Sequence, residues 1–130
     1  METIDYLCGE EWRGFQTPPR FKVTYSQEVI SFLKEQEEKA RKKILFNINK
    51  SKYIIDEELF KKLAETDVWE FRTMYGKIHY RVFAFWDTED NTVVTTHGII
   101  KKKQRTPKKE IIKSETIRQQ YYEKKRSDNE

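Results

Sequence analysis

The feature that most constrains the fold is a run of three strand-like segments between residues 68 and 100, separated by two short turns. Segments 68–75, 78–87 and 92–100 are rich in aromatic and β-branched residues, and the stretches "GK" and "TEDN" interrupt them. Turns this short join antiparallel neighbours. The sequence therefore predicts a three-stranded antiparallel meander.

A strand and two helices are predicted before this meander. Residues 20–26 alternate apolar and polar side chains, as a half-buried strand does, and Ser26 is placed to cap a following helix. From residue 27 to about 49, apolar side chains recur at three- and four-residue steps, which indicates an amphipathic helix. After a break near 50–53, residues 56–67 indicate a second, shorter helix, so that the two form a helical hairpin.

A basic helix is predicted to follow the meander. Thr106 is placed as its cap and Pro107 as its first residue, and the helix should run to about residue 122. The predicted fold class is α+β, in the order β–αα–βββ–α: a small antiparallel sheet with an N-terminal helical hairpin packed on it and a basic C-terminal helix. We expect an N-terminal extension at 1–19 whose order the sequence does not decide, the domain at 20–122, and a frayed basic and polar tail at 123–130.

Length and composition narrow the class of protein. A chain of 130 residues with one cysteine predicts a single domain without an internal disulfide, and its cysteine and two histidines lack zinc-site spacing. No apolar run approaches the roughly 20 residues that span a bilayer, and the N-terminus lacks a signal-peptide pattern. We therefore expect a cytoplasmic protein with no metal, no cofactor and no membrane partner.

Positive charge is concentrated near the C-terminal end. Residues 99–126 carry eleven Lys and Arg against three Glu, a net charge of +8, whereas the whole chain carries +4, so that the remainder carries −4. A basic end on a neutral-to-acidic body favours a polyanionic partner. A solvated basic helix has the same composition, and charge alone does not separate the two.

Arginines also interrupt the predicted sheet. Arg81 shares a strand face with His79 and alternates with Tyr80, and we expect that face to be half-exposed. Arg72 lies across the predicted hairpin and faces the same way if the register pairs these faces. The planar fork of an arginine matches two phosphate oxygens. The alternatives are a surface strand arginine at Arg81 and, at Arg72, an ion pair with a neighbour such as Glu70 or Glu57.

The segments that carry these cations resemble a known family. The stretches "VWEFR", "IHYRVFAFW" and "VVTTHGIIKKKQRTPKKEI" have the order and spacing found in RelE/HigB-type toxins of type II toxin–antitoxin systems, within the RelE/ParE superfamily. The phage-derived HigB-like branch is the most similar. The resemblance covers roughly residues 21–122. Its most specific part is a histidine-glycine pair, then a lysine pair, then a Thr-Pro helix start.

The resemblance implies an mRNA endoribonuclease that acts on the ribosome. In such enzymes the ribose 2′-OH attacks the adjacent phosphodiester, and Lys and Arg side chains stabilise the developing negative charge. It implies catalytic roles for Arg72, Arg81, Lys102 and Lys103, one lysine of the pair acting as a base if clustering with Arg81 depresses its pKa. Further cations are expected to bind RNA: Lys101, Arg105, Lys108 and Lys109.

His97 has two interpretations. A histidine near a phosphodiester suits proton transfer. A half-buried structural histidine, on the strand face that Thr95 takes, fits the sequence as well. His79 is a further candidate because it shares the face of Arg81, and the pair Tyr121 and Tyr122 suits either base stacking or internal packing.

The resemblance also implies partners: a cognate antitoxin, commonly a helix-turn-helix protein, together with mRNA and the ribosome. Two alternatives remain open. One is a ParE-like toxin, which shares the fold and inhibits DNA gyrase by binding without cutting RNA. The other is a non-catalytic RNA- or ribosome-binding module whose basic end contacts phosphates. The arginines and lysines together favour the nuclease, because an inhibitor that binds a protein does not need them.

Overall fold

The computed structural model describes residues 18–129, which contain three helices and five strands. They are, in chain order, β1 (Lys22–Thr24), α1 (Gln27–Lys34), α2 (Glu38–Ser51), β2 (Phe60–Lys62), β3 (Trp69–Tyr75), β4 (Ile78–Asp87), β5 (Thr92–Lys101) and α3 (Lys108–Asp128). The α+β class and the predicted order β–αα–βββ–α are confirmed, with one short strand, β2, added before the meander. Most of the predicted extension 1–19 lies outside the described residues, and its division from the domain stays a prediction.

The five strands form one mixed sheet in the order β1–β5–β4–β3–β2. The meander β3–β4–β5 is antiparallel as predicted, and β2 adds an antiparallel edge beside β3. Strand β1 pairs parallel with β5 at the other edge, which is possible because both helices of the N-terminal half lie between them in the chain. Strand β4 is therefore the central strand, and its side chains project alternately to the two faces of the sheet.

Different helices cover the two faces of the sheet. Tyr80 and Val82 of β4 belong to the main hydrophobic core, together with residues of α1 and α2. Arg81 and Phe85 project from the opposite face, where Phe85 meets Tyr121 of α3 edge to face, with ring centroids 5.1 Å apart. The predicted alternation between Tyr80 and Arg81 is confirmed, and it places Arg81 on the side away from the helical pair.

The helical region differs from the prediction in two respects. Ser26 caps α1 as predicted, its Oγ accepting from the Val29 backbone N–H at 3.1 Å, but the long helix expected over 27–49 is divided at 35–37 into α1 and α2. The predicted helix at 56–67 is wrong, since this segment contains turns and β2. Phe60 of β2 stacks on Phe71 of β3 with centroids 4.3 Å apart. Burial of this ring against the sheet overrides the short helical periodicity.

Gly98 lies within β5, which continues to Lys101. A Cβ built on Gly98 would stand 2.4 Å from Cδ2 of Phe32 in α1. The absence of a side chain at this position therefore lets the Phe32 ring lie directly against the strand, and it fixes how closely α1 approaches the sheet.

Helix α3 begins and ends later than predicted. Pro107 takes the N-cap position without a side-chain hydrogen bond, and the hydroxyl of Thr106 donates to Glu70 Oε2 at 3.0 Å, so the prediction that Thr106 caps the helix was wrong. The helix continues past residue 122 to Asp128, and Lys125 Nζ lies 2.7 Å from Asp87 Oδ2 of β4. In residues 18–129, no helix has the length and apolar character needed to cross a membrane.

Candidate nucleic-acid interface

A groove lined mainly by cations opens on the sheet face that α3 partly covers. Its volume is about 380 Å³. The lining residues are Arg72, His79, Arg81, Lys101, Lys102, Lys103 and Gln104. The structure thus brings together the four predicted catalytic cations, namely Arg72, Arg81, Lys102 and Lys103, and their catalytic role stays a prediction.

Strand register explains why these side chains meet. Arg72 of β3 pairs directly with Arg81 of β4, and His79 of β4 pairs with Lys101 of β5. Residues paired in this way project from the same face of a sheet. Because Lys101 ends β5, the next two lysines begin the connection to α3 at the mouth of the same groove.

Arg81 forms the floor of the groove. It is only 4% exposed, its Nη1 donates to the carbonyl oxygen of Tyr80 at 3.0 Å, and its Nε lies 3.6 Å from Glu70 Oε1. Burial lowers the pKa of Arg81, Glu70 raises it and Arg72 lowers it again. The expected half-exposed position was wrong, because Glu70 and the adjoining backbone enclose much of the guanidinium.

Arg72 is more open than Arg81 and meets the same carboxylate. Its side chain is 31% exposed, and its Nε lies 3.5 Å from Glu70 Oε1. The ion pair with Glu70 that the sequence allowed is therefore present, and it coexists with a place in the groove lining. Sequence reasoning treated Glu70 only as a partner for Arg72 and missed its contact with Arg81.

The three lysines of the groove differ in solvent exposure. Lys101 is half-buried, whereas Lys102 and Lys103 are exposed at the mouth. Burial lowers the pKa of Lys101 most, and nearby Arg81 lowers it further against the opposing effect of Glu70. The sequence placed the lysine of depressed pKa at Lys102 or Lys103, and the structure places one at Lys101. The missed signal is that Lys101 still belongs to the strand and faces inward beside Arg81.

The remaining predicted RNA-binding residues surround this groove. Arg105 and Lys108 are exposed in the connection and in the first turn of α3. Lys109 lines an adjoining cavity of about 330 Å³ that also includes Lys101, Lys102 and Lys103. Among the described residues, no cluster of three or more His, Cys, Asp or Glu side chains has a geometry that could hold a metal ion.

Ion pairs neutralise part of the basic charge of α3. Three cations of the helix are paired with acids elsewhere in the fold: Lys113 with Glu28, Arg118 with Asp67 and Lys125 with Asp87. Within residues 18–129, the cations of segment 101–109 form no ion pair. The cations of segment 101–109 therefore keep their charge open to a partner.

His97 lies outside the groove, beneath α3. It is 1% exposed and stacks on Phe83 with ring centroids 4.8 Å apart. Its Nε2 is 3.3 Å from Glu110 Oε1 of α3, and its Nδ1 is 3.0 Å from the hydroxyl of Thr96. The structure does not bring His97 together with the predicted catalytic cations.

A bulge in β5 sets the face on which His97 lies. Thr95 pairs with Ala84 and His97 pairs with Phe83, so that Thr96 is an extra residue without a partner in β4. An unbroken strand would place His97 on the same face as Thr95, which was the prediction. That prediction was wrong, because a single inserted residue turns the following side chain to the opposite face.

The charges around His97 act in both directions on its pKa. Burial lowers the pKa most and Lys113 lowers it further, whereas Glu110 and Glu28 raise it. The net effect is a lowered pKa, which favours the neutral imidazole at pH 7.

The aromatic candidates take part in packing: Tyr80 and Phe83 are buried, and Tyr121 and Tyr122 are half-buried. Tyr80 is 4% exposed in the main core, and Phe83 is fully buried. Tyr121 and Tyr122 lie against Phe85, with ring centroids 5.1 Å and 6.0 Å away. The packing interpretation of the tyrosine pair therefore accounts for its position on α3. His79 remains exposed in the groove lining.

Comparison with known proteins identifies one family. The sequence profile of the phage-derived Gp49-like proteins (DUF891) matches residues 31–119, more than half of the 130 residues. The matched range contains β3, β4 and β5 and every residue that lines the groove. No curated protein and no solved structure matches the chain. The chain therefore belongs to the phage-derived Gp49-like family, a family of toxin-like proteins.

Proposed function

We propose that this protein is the toxin of a type II toxin–antitoxin system of the RelE/HigB type and that it cuts messenger RNA on the ribosome. The observation that carries the proposal is the convergence of two strand arginines and three consecutive lysines on one groove. Membership of a toxin-like family supports the same conclusion.

The proposed reaction makes three demands on the groove. The 2′-OH of a ribose must lose its proton as its oxygen bonds to the adjacent phosphorus. The phosphorus centre then carries additional negative charge, which preorganised cations stabilise. The P–O5′ bond breaks and the 5′ oxygen takes up a proton, which leaves a 2′,3′-cyclic phosphate on one product and a free 5′-OH on the other.

The two arginines are proposed to stabilise the phosphate charge. Arg81 is held from two sides at the groove floor, so its charge is in place before substrate binds. Arg72 is more exposed, and its terminal nitrogens are suited to hydrogen bonds with phosphate oxygens. In this scheme Arg81 supplies a fixed positive charge, and the more exposed guanidinium of Arg72 donates hydrogen bonds to the same phosphate.

The three lysines are proposed to transfer protons and to bind the RNA backbone. Burial and the neighbouring arginines lower the pKa of Lys101, which enlarges the neutral amine fraction that can accept the 2′-OH proton. Lys102 and Lys103 at the mouth bind the flanking phosphates. One of them, in its protonated form, donates a proton to the leaving 5′ oxygen as the P–O5′ bond breaks. In this scheme His97 only holds α3 against the sheet.

The proposal includes the partners that the resemblance implied. We expect a cognate antitoxin, of the helix-turn-helix type, that blocks the cationic groove, with messenger RNA on the ribosome as substrate and the cytoplasm as the place of action. The simplest check of the antitoxin is growth rescue when the neighbouring open reading frame is expressed with this chain.

Primer extension on messenger RNA from an in vitro translation reaction tests the activity. The parent protein should create new stops, and Lys102→Gln/Lys103→Gln should weaken them strongly. Lys42→Gln/Lys43→Gln is the matched control, because it removes two exposed lysines of α2. A parent protein that creates no stops would exclude the nuclease, and inhibition of gyrase supercoiling or simple ribosome binding would then identify the competing functions.

A further inference from the structure

Glu70 is a buried carboxylate that contacts three different parts of the groove. It is 3% exposed, and its Oε1 lies 3.5 Å from Arg72 Nε and 3.6 Å from Arg81 Nε. Its other oxygen, Oε2, accepts a hydrogen bond of 3.0 Å from the hydroxyl of Thr106. One side chain thus joins β3, β4 and the connection between β5 and α3.

The opposed arginines need such a counter-charge. Arg72 and Arg81 are directly paired across the two strands, and like charges at opposed positions destabilise a sheet. Their repulsion is stronger at a partly buried site than in water. A carboxylate near both Nε atoms offsets this repulsion.

The bond from Thr106 acts on a different part of the groove. Thr106 lies at the end of segment 102–107, which carries Lys102 and Lys103 and belongs to neither β5 nor α3. Its hydroxyl does not cap α3 and is used instead to bind the sheet. The carboxylate that holds the arginines therefore also fixes the position of the lysine segment.

We propose that Glu70 is a positioning residue that sets the two arginines for phosphate binding and, through Thr106, latches segment 102–107 onto the groove. The arginine part rests on the proposed nuclease function. The latch part concerns the fold alone and holds or fails without any RNA cleavage.

Glu70→Gln tests the arginine part through a split between kcat and KM. Loss of the negative charge makes the groove more positive, so RNA should bind more tightly and KM should fall. The arginines lose their common partner, so kcat should fall by about 10²-fold, the effect of a small misplacement of catalytic groups. A merely structural residue would not tighten RNA binding. Unchanged kcat, or a raised KM, would overturn this part.

Glu38→Gln is the matched control for this variant. It makes the same charge change at an exposed side chain whose ion-pair partner is Lys42 of α2, outside the groove. Its KM and kcat should equal those of the parent. A fall in KM as large as that of Glu70→Gln would show a general charge effect and would contradict a specific role for Glu70.

Trypsin tests the latch without any RNA. Segment 102–107 contains three trypsin sites, after Lys102, Lys103 and Arg105. Proteolysis requires local release of the backbone, so Thr106→Val should raise the rate of cutting in this segment several-fold. Thr116→Val, an exposed position of α3, should leave the rate unchanged.

The outcomes separate the two claims. If the parent does not cut RNA, the nuclease proposal fails, and the trypsin rates still decide the latch. If the parent cuts RNA and Thr106→Val is as resistant to trypsin as the parent, the latch alone fails. Because valine is nearly isosteric with threonine, this comparison also stands if Glu70→Gln proves unable to fold.

Discussion

Arg72 and Arg81 occupy directly opposed positions on β3 and β4, and their Nε atoms lie 3.5 Å and 3.6 Å from the same oxygen of Glu70. Two cations placed face to face oppose strand pairing. Departures from local stability of this kind are expected at functional sites. The pair therefore links the architecture of the sheet to the proposed chemistry of the groove.

Gly98→Ala should destabilise the protein. The new Cβ would stand 2.4 Å from Cδ2 of the buried Phe32 ring, so the ring or α1 must move. Overpacking of this kind costs about 1–3 kcal/mol. Urea unfolding measures the change, and Gly98→Ala/Phe32→Leu should recover part of it. Equal stability of the parent and Gly98→Ala would contradict the close contact between α1 and β5.

Stability should decline as the pH falls below about 6.5, with a contribution from His97. Burial lowers the pKa of His97 in the folded protein from its ordinary value of 6.5, so the unfolded chain takes up the proton first as the pH falls. The contribution of His97 is thus complete above this pH and is lost toward lower pH, at no more than about 1.4 kcal/mol per pH unit.

Urea unfolding between about pH 7.5 and pH 5 checks this dependence. His97→Gln should show a flatter dependence than the parent, whereas His79→Gln, at an exposed position, should follow the parent. Identical slopes for His97→Gln and the parent would contradict a buried, neutral His97.

The cleavage rate should rise with pH through the lowered pKa of Lys101. The neutral amine is the reactive form, and burial together with Arg81 enlarges its fraction. Lys101→Arg keeps the charge but stays protonated, so its rate should be lower by about 10²–10⁴-fold and nearly independent of pH. Lys102→Arg should keep the pH dependence of the parent. The parental slope in Lys101→Arg would assign the proton transfer to another group.

RNA binding should weaken steeply as salt concentration rises. Each phosphate contact to single-stranded RNA contributes roughly 0.7 to the slope of log affinity against log salt. Lys102→Gln and Lys103→Gln should each reduce that slope by about this amount, and Lys42→Gln on α2 should not. Titration with an oligonucleotide that carries 2′-deoxy sugars measures binding without cleavage. An affinity independent of salt would exclude these lysines as phosphate contacts.

Alternation and short turns allowed much of the site to be predicted. In β4, Tyr80 and Arg81 had to face opposite layers, and the two-residue turn at Gly76 and Lys77 fixed the pairing of Arg72 with Arg81. These are local rules of strand geometry, which a single sequence contains. The convergence of the arginines with the lysines after β5 follows from them.

Other features depend on contacts that no local pattern records. The bulge at Thr96, which sends His97 beneath α3, inserts one residue without a distinctive sequence signal. Phe60 lies in a helix-like stretch and becomes a strand residue through its stacking on Phe71. The burial of Arg81 depends on Glu70, which is distant from it in sequence and adjacent across the hairpin.

The choice of variant at Arg81 must take its burial into account. At 4% exposure, Arg81 is a partner of the buried Glu70, and loss of one member of such a pair costs about 3–5 kcal/mol. The half-exposed strand face expected from the sequence would have made this cost small. Arg81→Lys retains the charge, and Arg81→Gln removes it. Arg41→Gln is a matched control, because Arg41 is a half-buried arginine of α2, on the opposite side of the sheet.

The most direct test is the single-turnover rate of messenger RNA cleavage on the ribosome by Arg81→Gln protein that melting curves show to be folded at the assay temperature. Loss of one preorganised cation should slow cleavage by about 10²–10³-fold. Arg81→Lys should recover only part of the rate, because an ammonium lacks the planar fork, and Arg41→Gln should match the parent. Folded Arg81→Gln protein that cuts messenger RNA as fast as the parent would contradict the account.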